Sequence, residues 1–363
     1  MKKLRSLLSH MRRASASRSI PGQIIDLILH KLMLCLSPAD YYHFEFYRGG
    51  KTWQQKSRYV ALGGSIYWPF ENNAFRYGTA LTDKYVQKHL LIGFDLPTPR
   101  LMATVGPGRD IQDYTQWRDF LNTVRQPIML KPVSSAGGDG ILAVSKHGKR
   151  FFAGAASQTP EQLWEHMQSK SYQGFLIEER VSNTGLLARL NPTSLNTFRV
   201  VTIKTNDGVW HVGATAVKIG APGAVTDNNA QGGIQINLDD AGKPRHAFDF
   251  ATRQSITHHP ETGIDLMNLE LEGYRDVIDL ALRASRCFGF LGTVGWDIAW
   301  TDQGAMIVEG NIVWGCSSLQ RGGPGMITDT LAAGLKRHHV FGRWDKSRLY
   351  PGYSRRPFWS RRT

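Results

Sequence analysis

Lys131 closes a short apolar run and is followed by Gly137, Gly138 and Gly140 in Lys131-Pro-Val-Ser-Ser-Ala-Gly-Gly-Asp-Gly-Ile141. Such glycines can take positive φ and let backbone N–H groups converge on an anion, and the lysine adds a compact positive charge beside them. A Walker loop places its lysine after the glycines, and a dinucleotide fingerprint lies between a strand and a helix, so neither describes this order. An ordinary glycine-rich hairpin is the alternative reading. A second group follows near the end of the chain, in Gly295-Trp-Asp-Ile-Ala-Trp-Thr-Asp-Gln-Gly-Ala-Met-Ile-Val-Glu-Gly-Asn311. Strand alternation puts Asp297 on one strand and both Glu309 and Asn311 on the same face of the next. Oxygen ligands without His or Cys suit Mg²⁺, which is held by one or two carboxylates plus substrate phosphates. Arg199 lies in the apolar run Thr197-Phe-Arg-Val-Val201, where burial demands an anionic partner.

These residues must be carried by particular elements. The runs 128–132 and 141–144 predict two strands around the glycine loop, and 175–177 a third. Further strands are expected at 197–204 and 209–218, then a Gly/Asn loop at 220–233, a helix near 268–288, and closing strands at 293–300 and 305–309. Thr159, Pro160 and Gln162 read as N-cap, first helical position and capping-box partner of another helix. Helical periodicity also marks 20–36 and 82–92. The order predicts an α+β fold, mostly antiparallel in its second half, with helices laid on one side.

Length and composition agree with a folded chain: 363 residues, 41% hydrophobic and 20% charged. Cys35, Cys287 and Cys316 are too few and too scattered for a disulfide framework or a Cys-x-x-Cys zinc site, which fits a reducing cytoplasm. The net charge of +14 is terminal: residues 1–20 hold six Lys/Arg and no acid, and residues 336–363 hold nine and one. The remainder is neutral, which argues against nucleic acid as the main partner. No stretch is apolar over the ~20 residues a bilayer requires. Leu4, Leu7, Leu8 and Met11 among Lys2, Lys3, Arg5, Arg12 and Arg13 form a short basic amphipathic helix. It suits weak docking on an anionic membrane surface, and a packed or frayed terminal helix is the alternative. Trp344, Tyr350, Tyr353, Phe358 and Trp359 alternate with arginines in a tail that could stack on bases, sit at a membrane interface or pack on the body.

The order of Lys131 with its glycine loop, Phe175-Leu-Ile-Glu-Glu-Arg-Val181, Phe198-Arg-Val-Val201, Asp297 and Glu309-Gly-Asn311 resembles the ATP-grasp superfamily over about residues 80–320. Leu195–Thr202, Thr226–Ile234 and His259–Gly263 resemble its sugar-transfer associated group, which is related to alpha-L-glutamate ligases. The resemblance implies an ATP-grasp fold of two α+β subdomains gripping ATP, preceded by a helical region. The division it suggests is a basic amphipathic tail at 1–20, the helical region at 21–125, a small lid subdomain at 126–185, a large subdomain with the Mg²⁺ site at 186–335, and a basic aromatic tail at 336–363.

The resemblance further implies that Lys131 contacts ATP phosphates under a 134–140 lid. Residues Glu178 to Val181 would form a hinge along the adenine edge, with Glu179 or a nearby acid reaching ribose. Lys84 resembles the first phosphate lysine of such folds, with an ordinary surface lysine as the alternative. Asn228 matches the glutamate-ligase loop that holds phosphate, with a plain turn as the alternative, and Lys218 is a further phosphate candidate. Arg199 and Lys131 would neutralise the transferring phosphoryl group beside two Mg²⁺ ions. The implied activity is an ATP-dependent carboxylate–amine ligase acting on small molecules or glycans in polysaccharide or cell-envelope sugar modification. The setting is the cytoplasm, peripheral to the inner face of the membrane. A phosphotransferase on the same nucleotide site, or a non-catalytic ATP-binding module that docks a glycosyltransferase, are the other readings. His258 and His259 read as loop structure.

Overall fold

The computed structural model describes residues 2–331 except 35, 63–72, 74, 136, 149, 155, 170–172 and 330. The aromatic tail expected at 336–363 lies outside the described residues. The chain opens with helices α1 (Lys2–Ala14), α2 (Ile20–Leu34), α3 (Pro38–His43) and α4 (Trp53–Ser57), then α5 (Thr79–Thr82) and α6 (Lys84–Gly93). Ser37 caps α3 in a capping box with Asp40, behind Pro38. Asp83 caps α6 by accepting from the Val86 N–H at 3.0 Å, and this fixes where Lys84 enters the helix.

A first sheet, entirely antiparallel, has the order β1 (Leu101–Val105), β6 (Phe175–Glu179), β2 (Ile128–Pro132), β3 (Leu142–His147), β4 (Arg150–Ala153) and β5 (Ala156–Gln158). Helices α7 (Tyr114–Thr123) and α8 (Pro160–Ser169) cover one face, with Trp117, Leu121, Leu163 and Met167 packed on Ile128, Leu130, Val144 and Phe175. The α8 start is as expected: Thr159 N–H donates to Gln162 Oε1 at 2.8 Å, and Gln162 N–H donates to Thr159 Oγ1 at 3.2 Å. The boundary at 125/126 does not describe this sheet. Strand β1, nominally in the helical region, pairs with β6 from Leu101↔Glu178 to Val105↔Phe175, so the sheet begins at 101. Its residues are joined by long-range pairing that no local signal announces.

After α9 (Gly185–Leu190) comes a seven-stranded antiparallel sheet in the order β11 (Gln254–Ile256), β10 (Pro244–Asp249), β9 (Ile234–Leu238), β8 (Trp210–Ile219), β7 (Thr197–Lys204), β12 (Thr293–Thr301) and β13 (Gly304–Asn311). Helix α10 (Tyr274–Cys287) precedes β12, and α11 (Cys316–Leu319) follows β13. The two faces of this sheet have different covers. Phe198, Val200 and Trp296 pack with Val277, Ala281 and Ala284 of α10. On the opposite face, Val201, Ile203 and Ala216 pack with Trp314 and with Tyr41, Tyr42 and Met11 of the N-terminal helices. Thus α1 is a packed helix through Met11 and Ala14, as one of the two sequence readings has it. The helix expected near 268–288 begins later, at Tyr274, because Gly273 sits at φ 68° and interrupts the turn before it.

Candidate active site

Strand pairing brings a row of ionic side chains together on one face of the second sheet. Glu309 lies opposite Asp297, Asp297 opposite Arg199, and Thr197 opposite Lys218. The cross-strand geometry allows direct contact. Arg199 Nε donates to Asp297 Oδ1 at 2.6 Å and Nη2 to Oδ2 at 2.9 Å, while Nη1 donates to the Trp314 carbonyl at 2.8 Å. Lys218 Nζ donates to Asp227 Oδ1 at 3.0 Å and to Asp297 Oδ2 at 3.4 Å. Asn311 Nδ2 donates to the same Asp297 oxygen at 3.2 Å, and the Thr197 hydroxyl donates to Asp227.

The titration behaviour follows from this traffic. Burial pushes the Asp297 carboxyl up, but the adjacent Arg199 and Lys218 outweigh it and hold it below the ordinary carboxylate range. Asp227 ends on the other side: burial raises it more than Lys218 lowers it, and the nearby Asp297 charge raises it further. Arg199 loses hydration yet is held more firmly protonated by Asp297.

The first sheet and α6 contribute the facing cations. Lys131 Nζ lies 2.6 Å from Glu178 Oε2, and Lys88 Nζ lies 2.6 Å from Glu178 Oε1. Lys88 also donates to Thr98 Oγ1 at 2.7 Å and to the Pro99 carbonyl at 2.9 Å. Burial would raise Glu178 and lower Lys88; the two lysines hold Glu178 ionised, while for Lys88 burial prevails over the carboxylate. Lys84 Nζ bridges the sheets, 3.0 Å from Glu309 Oε1 and donating to the Ser135 carbonyl at 2.6 Å. The glycine loop is latched to the second sheet: Asn228 Nδ2 donates to the Gly137 carbonyl, as does Gln231 Nε2 at 3.3 Å. Gly137 and Gly138 hold φ of 69° and 77°, and a Cβ on Gly138 would stand 3.0 Å from Thr226 Oγ1. The conformation favours glycine there, and the space beside it is tight.

Lys84, Lys131, Gly137, Gly138, Glu178, Glu179, Val181, Arg199, Lys218, Asn228, Asp297, Glu309 and Asn311 therefore line one cleft between the two sheets. Gly140 does not. Its carbonyl accepts from His166 Nε2 at 3.0 Å, because its φ of 74° closes the hairpin toward α8. Glu178, assigned to the hinge, has its carboxylate turned into the protein, where it holds Lys88 and Lys131 in place. Two charged residues in the cleft escaped the sequence reading. Lys88 follows Lys84 by one helical turn, a spacing that puts both on one face of α6. Asp227 lies inside the quoted Thr226–Ile234 segment.

Among the described residues no group of three or more His, Cys, Asp and Glu side chains could hold a metal ion alone. Asp297, Glu309 and Asn311 nevertheless fit Mg²⁺ by donor chemistry. They are two carboxylates and an amide on paired strands, too few for a protein-only cage and right for an ion shared with ligand phosphates.

The family model described as sugar-transfer associated ATP-grasp matches residues 67–331. The chain belongs to that family. The two sheets and the cleft between them are accordingly the ATP-grasp fold, preceded by a helical region. Solved structures similar to this chain include N5-carboxyaminoimidazole ribonucleotide synthetase in its ADP complex, at 13% identity and TM-score 0.39, covering 64% of this chain and 45% of that one. Another is an L-amino acid ligase from Bacillus licheniformis, at 12% identity and TM-score 0.39, covering 66% and 42%. A third is the VanG D-Ala:D-Ser ligase from Enterococcus faecalis, at 13% identity and TM-score 0.41, covering 69% and 57%. The chain spans about half the length of these structures. No curated protein matches it.

Proposed function

We propose that this ATP-grasp protein is an ATP- and Mg²⁺-dependent ligase that activates a carboxylate as an acyl phosphate and passes it to an amine. One observation carries the reading: the cationic side chains of Lys84, Lys88, Lys131, Arg199 and Lys218 gather with the carboxylates of Glu178, Asp227, Asp297 and Glu309 in a single cleft beneath a glycine hairpin. Phosphoryl transfer asks for such an arrangement, because its catalysis is largely positioning and neutralisation of spread negative charge.

In this reading the backbone of 179–181 borders the adenine edge, Lys84 and Lys131 meet the phosphates, and the 134–140 hairpin closes over them. Asp297, Glu309 and Asn311 would hold Mg²⁺, two ions in this reading, which when bound would supply neutralisation of phosphate charge. The substrate carboxylate oxygen attacks the γ-phosphorus as the bond to the ADP oxygen breaks. The amine nitrogen then attacks the acyl carbon, phosphate departs, and the nitrogen loses its proton to solvent or phosphate. Arg199, locked by its fork to Asp297, keeps its charge fixed where the acyl phosphate forms. No enzyme nucleophile is required. The family description, sugar-transfer associated, supports a sugar or glycan substrate; the setting in this reading is polysaccharide or cell-envelope modification, in the cytoplasm where ATP is supplied.

The test is turnover with candidate uronic acids, amino acids, ATP and Mg²⁺, with products identified by mass. A ligase releases ADP and free phosphate with an amide; a phosphotransferase releases ADP with a phosphorylated product and no free phosphate. Glu309→Gln is expected to lower turnover by about 10²-fold or more without loss of fold, since its side chain is 30% exposed. Lys131→Ala is expected to weaken ATP binding. Unchanged turnover and unchanged affinity in the two variants would overturn the assignment.

A further inference from the structure

Helix α2 turns Gln23 and His30 inward and a stripe of isoleucines and leucines outward. Gln23 and His30, on the inward stripe, are 0% and 1% exposed. They are held there by specific bonds: Gln23 Nε2 donates to the Met11 and Arg18 carbonyls at 3.1 and 2.7 Å, and Gln23 Oε1 accepts from Tyr42 at 2.8 Å. His30 Nδ1 bonds the Asp26 carbonyl at 2.6 Å, and its ring packs against Tyr41, Phe46 and Trp53. The outward stripe is Ile20, Ile24, Ile25, Ile28, Leu29 and Leu32, among which Ile25 is 56% and Leu32 70% exposed. Their spacing is that of one continuous helix face. Contiguous exposed apolar surface of this kind marks an interaction site.

The charges around the stripe select the partner. Arg5, Arg12 and Arg13 on α1, Arg18 in the connection and Lys31 on α2 are all exposed. The only acid before Asp40 is Asp26, whose carboxylate is occupied by Arg18 at 2.9 and 3.0 Å and by the Tyr41 hydroxyl at 2.8 Å. Leu8, 46% exposed, shares a helix face with Arg5 and Arg12. An apolar stripe bordered by an excess of cations suits an anionic lipid surface. The chain's own basic 336–363 segment, or a second copy of α1, would bring like charge against it.

We propose that α1 and α2 dock this protein on anionic lipid bilayers, with the Ile/Leu stripe of α2 in the acyl boundary and the α1 arginines among the headgroups. Fifteen residues measure about 22 Å, short of the ~30 Å hydrocarbon layer, so α2 lies in the interface. No helix among the described residues is long and apolar enough to cross. The surface precedes the family match at residue 67 and is independent of the ligase reading.

Flotation of the 363-residue chain with vesicles of phosphatidylcholine, and of phosphatidylcholine with phosphatidylglycerol, tests this. The chain is expected to float only with the anionic vesicles, and less at high salt. Ile25→Glu with Ile28→Glu should lower the bound fraction at least ~10-fold, and Arg12→Glu with Arg13→Glu should lower it several-fold, with thermal unfolding unchanged. Ile25→Ser with Ile28→Ser, a gentler pair, should show the same loss. The proposal is overturned if anionic vesicles do not bind, if the stripe variants bind like wild type, or if the stripe variants instead dissociate a dimer. Binding that appears only after deletion of residues 340–363 would also overturn it, since the tail would then be the occupant.

Discussion

Glu178 offers the sharpest energetic test, because it carries one negative charge between two ammonium groups. Its carboxylate is 2% exposed, Lys88 is 3% exposed, and each lysine stands 2.6 Å from a different oxygen. Glu178→Gln keeps the shape and removes the charge, which leaves Lys88 buried without a counter-ion. Breaking such a pair from one side costs about 3–5 kcal/mol, or ~6–20 °C in Tm at roughly 2–4 °C per kcal/mol. Lys88→Met alone costs less, ~1–3 kcal/mol, since Glu178 loses one of its two ammonium partners but keeps Lys131, and the Thr98 and Pro99 acceptors lose their donor. The two changes must not add. Once the carboxylate is neutral, removal of the stranded ammonium relieves the main penalty, so Lys88→Met in the Glu178→Gln background is expected to be neutral or stabilising. Urea unfolding of the four proteins of the cycle reads this, and an ATP titration should show weaker binding in Glu178→Gln because Lys131 has lost its anchor. If the two losses sum to within about 0.5 kcal/mol, the lysines are not sharing that carboxylate and the argument fails.

Arg199→Lys should cut turnover at least ~10-fold, because one ammonium cannot reproduce the fork to Asp297 and the bond to Trp314; wild-type steady-state rates in this variant would refute the role. Burial, reinforced by Arg321, lowers His43 and His246 from 6.5 to about 4. The unfolded chain therefore takes up these protons first, and stability is complete above about pH 6.5 and lost as pH falls toward 4. The slope approaches ~1.4 kcal/mol per pH unit for each histidine. Urea midpoints at pH 7.5 and 5.0 should show the decline, and His43→Gln should flatten it; an unchanged slope counts against the assignment. Gly295→Ala should cost about 3 kcal/mol, since its Cβ would lie 2.1 Å from Trp314 Cβ, whereas Gly93→Ala meets nothing within 4 Å and should be close to neutral in thermal unfolding.

Much of the site was readable because its carriers are local. The apolar runs around Asp297 and Glu309, the glycine hairpin after Lys131 and the Thr159 cap are all written within a few residues, and period-2 alternation suffices to put Glu309 and Asn311 on one face. Lys88 was missed because a lysine on a helix is ordinarily solvated, and nothing nearby tells that Glu178 will arrive beside it. The pairing of strand β1 was hidden for the same kind of reason, since its partner lies across the intervening strands. The polarity of α2 was also hidden. Its sequence is apolar on most sides, so only its packing shows that Gln23 and His30 face inward and the isoleucines outward.

The sequence by itself determined the residue types at the cleft, the strands and turns that carry them, and a charge excess confined to the ends. Tertiary structure alone decided which charges neutralise one another: Arg199 with Asp297, Lys84 with Glu309, Lys88 and Lys131 with Glu178. Backbone propensity and side-chain alternation act over a few residues, whereas an ion pair depends on register and burial set by strands and helices distant in the chain. The same carboxylate is therefore a pinned counter-ion at 178 and a partly open partner of Lys84 at 309, for reasons that lie outside either one's neighbourhood.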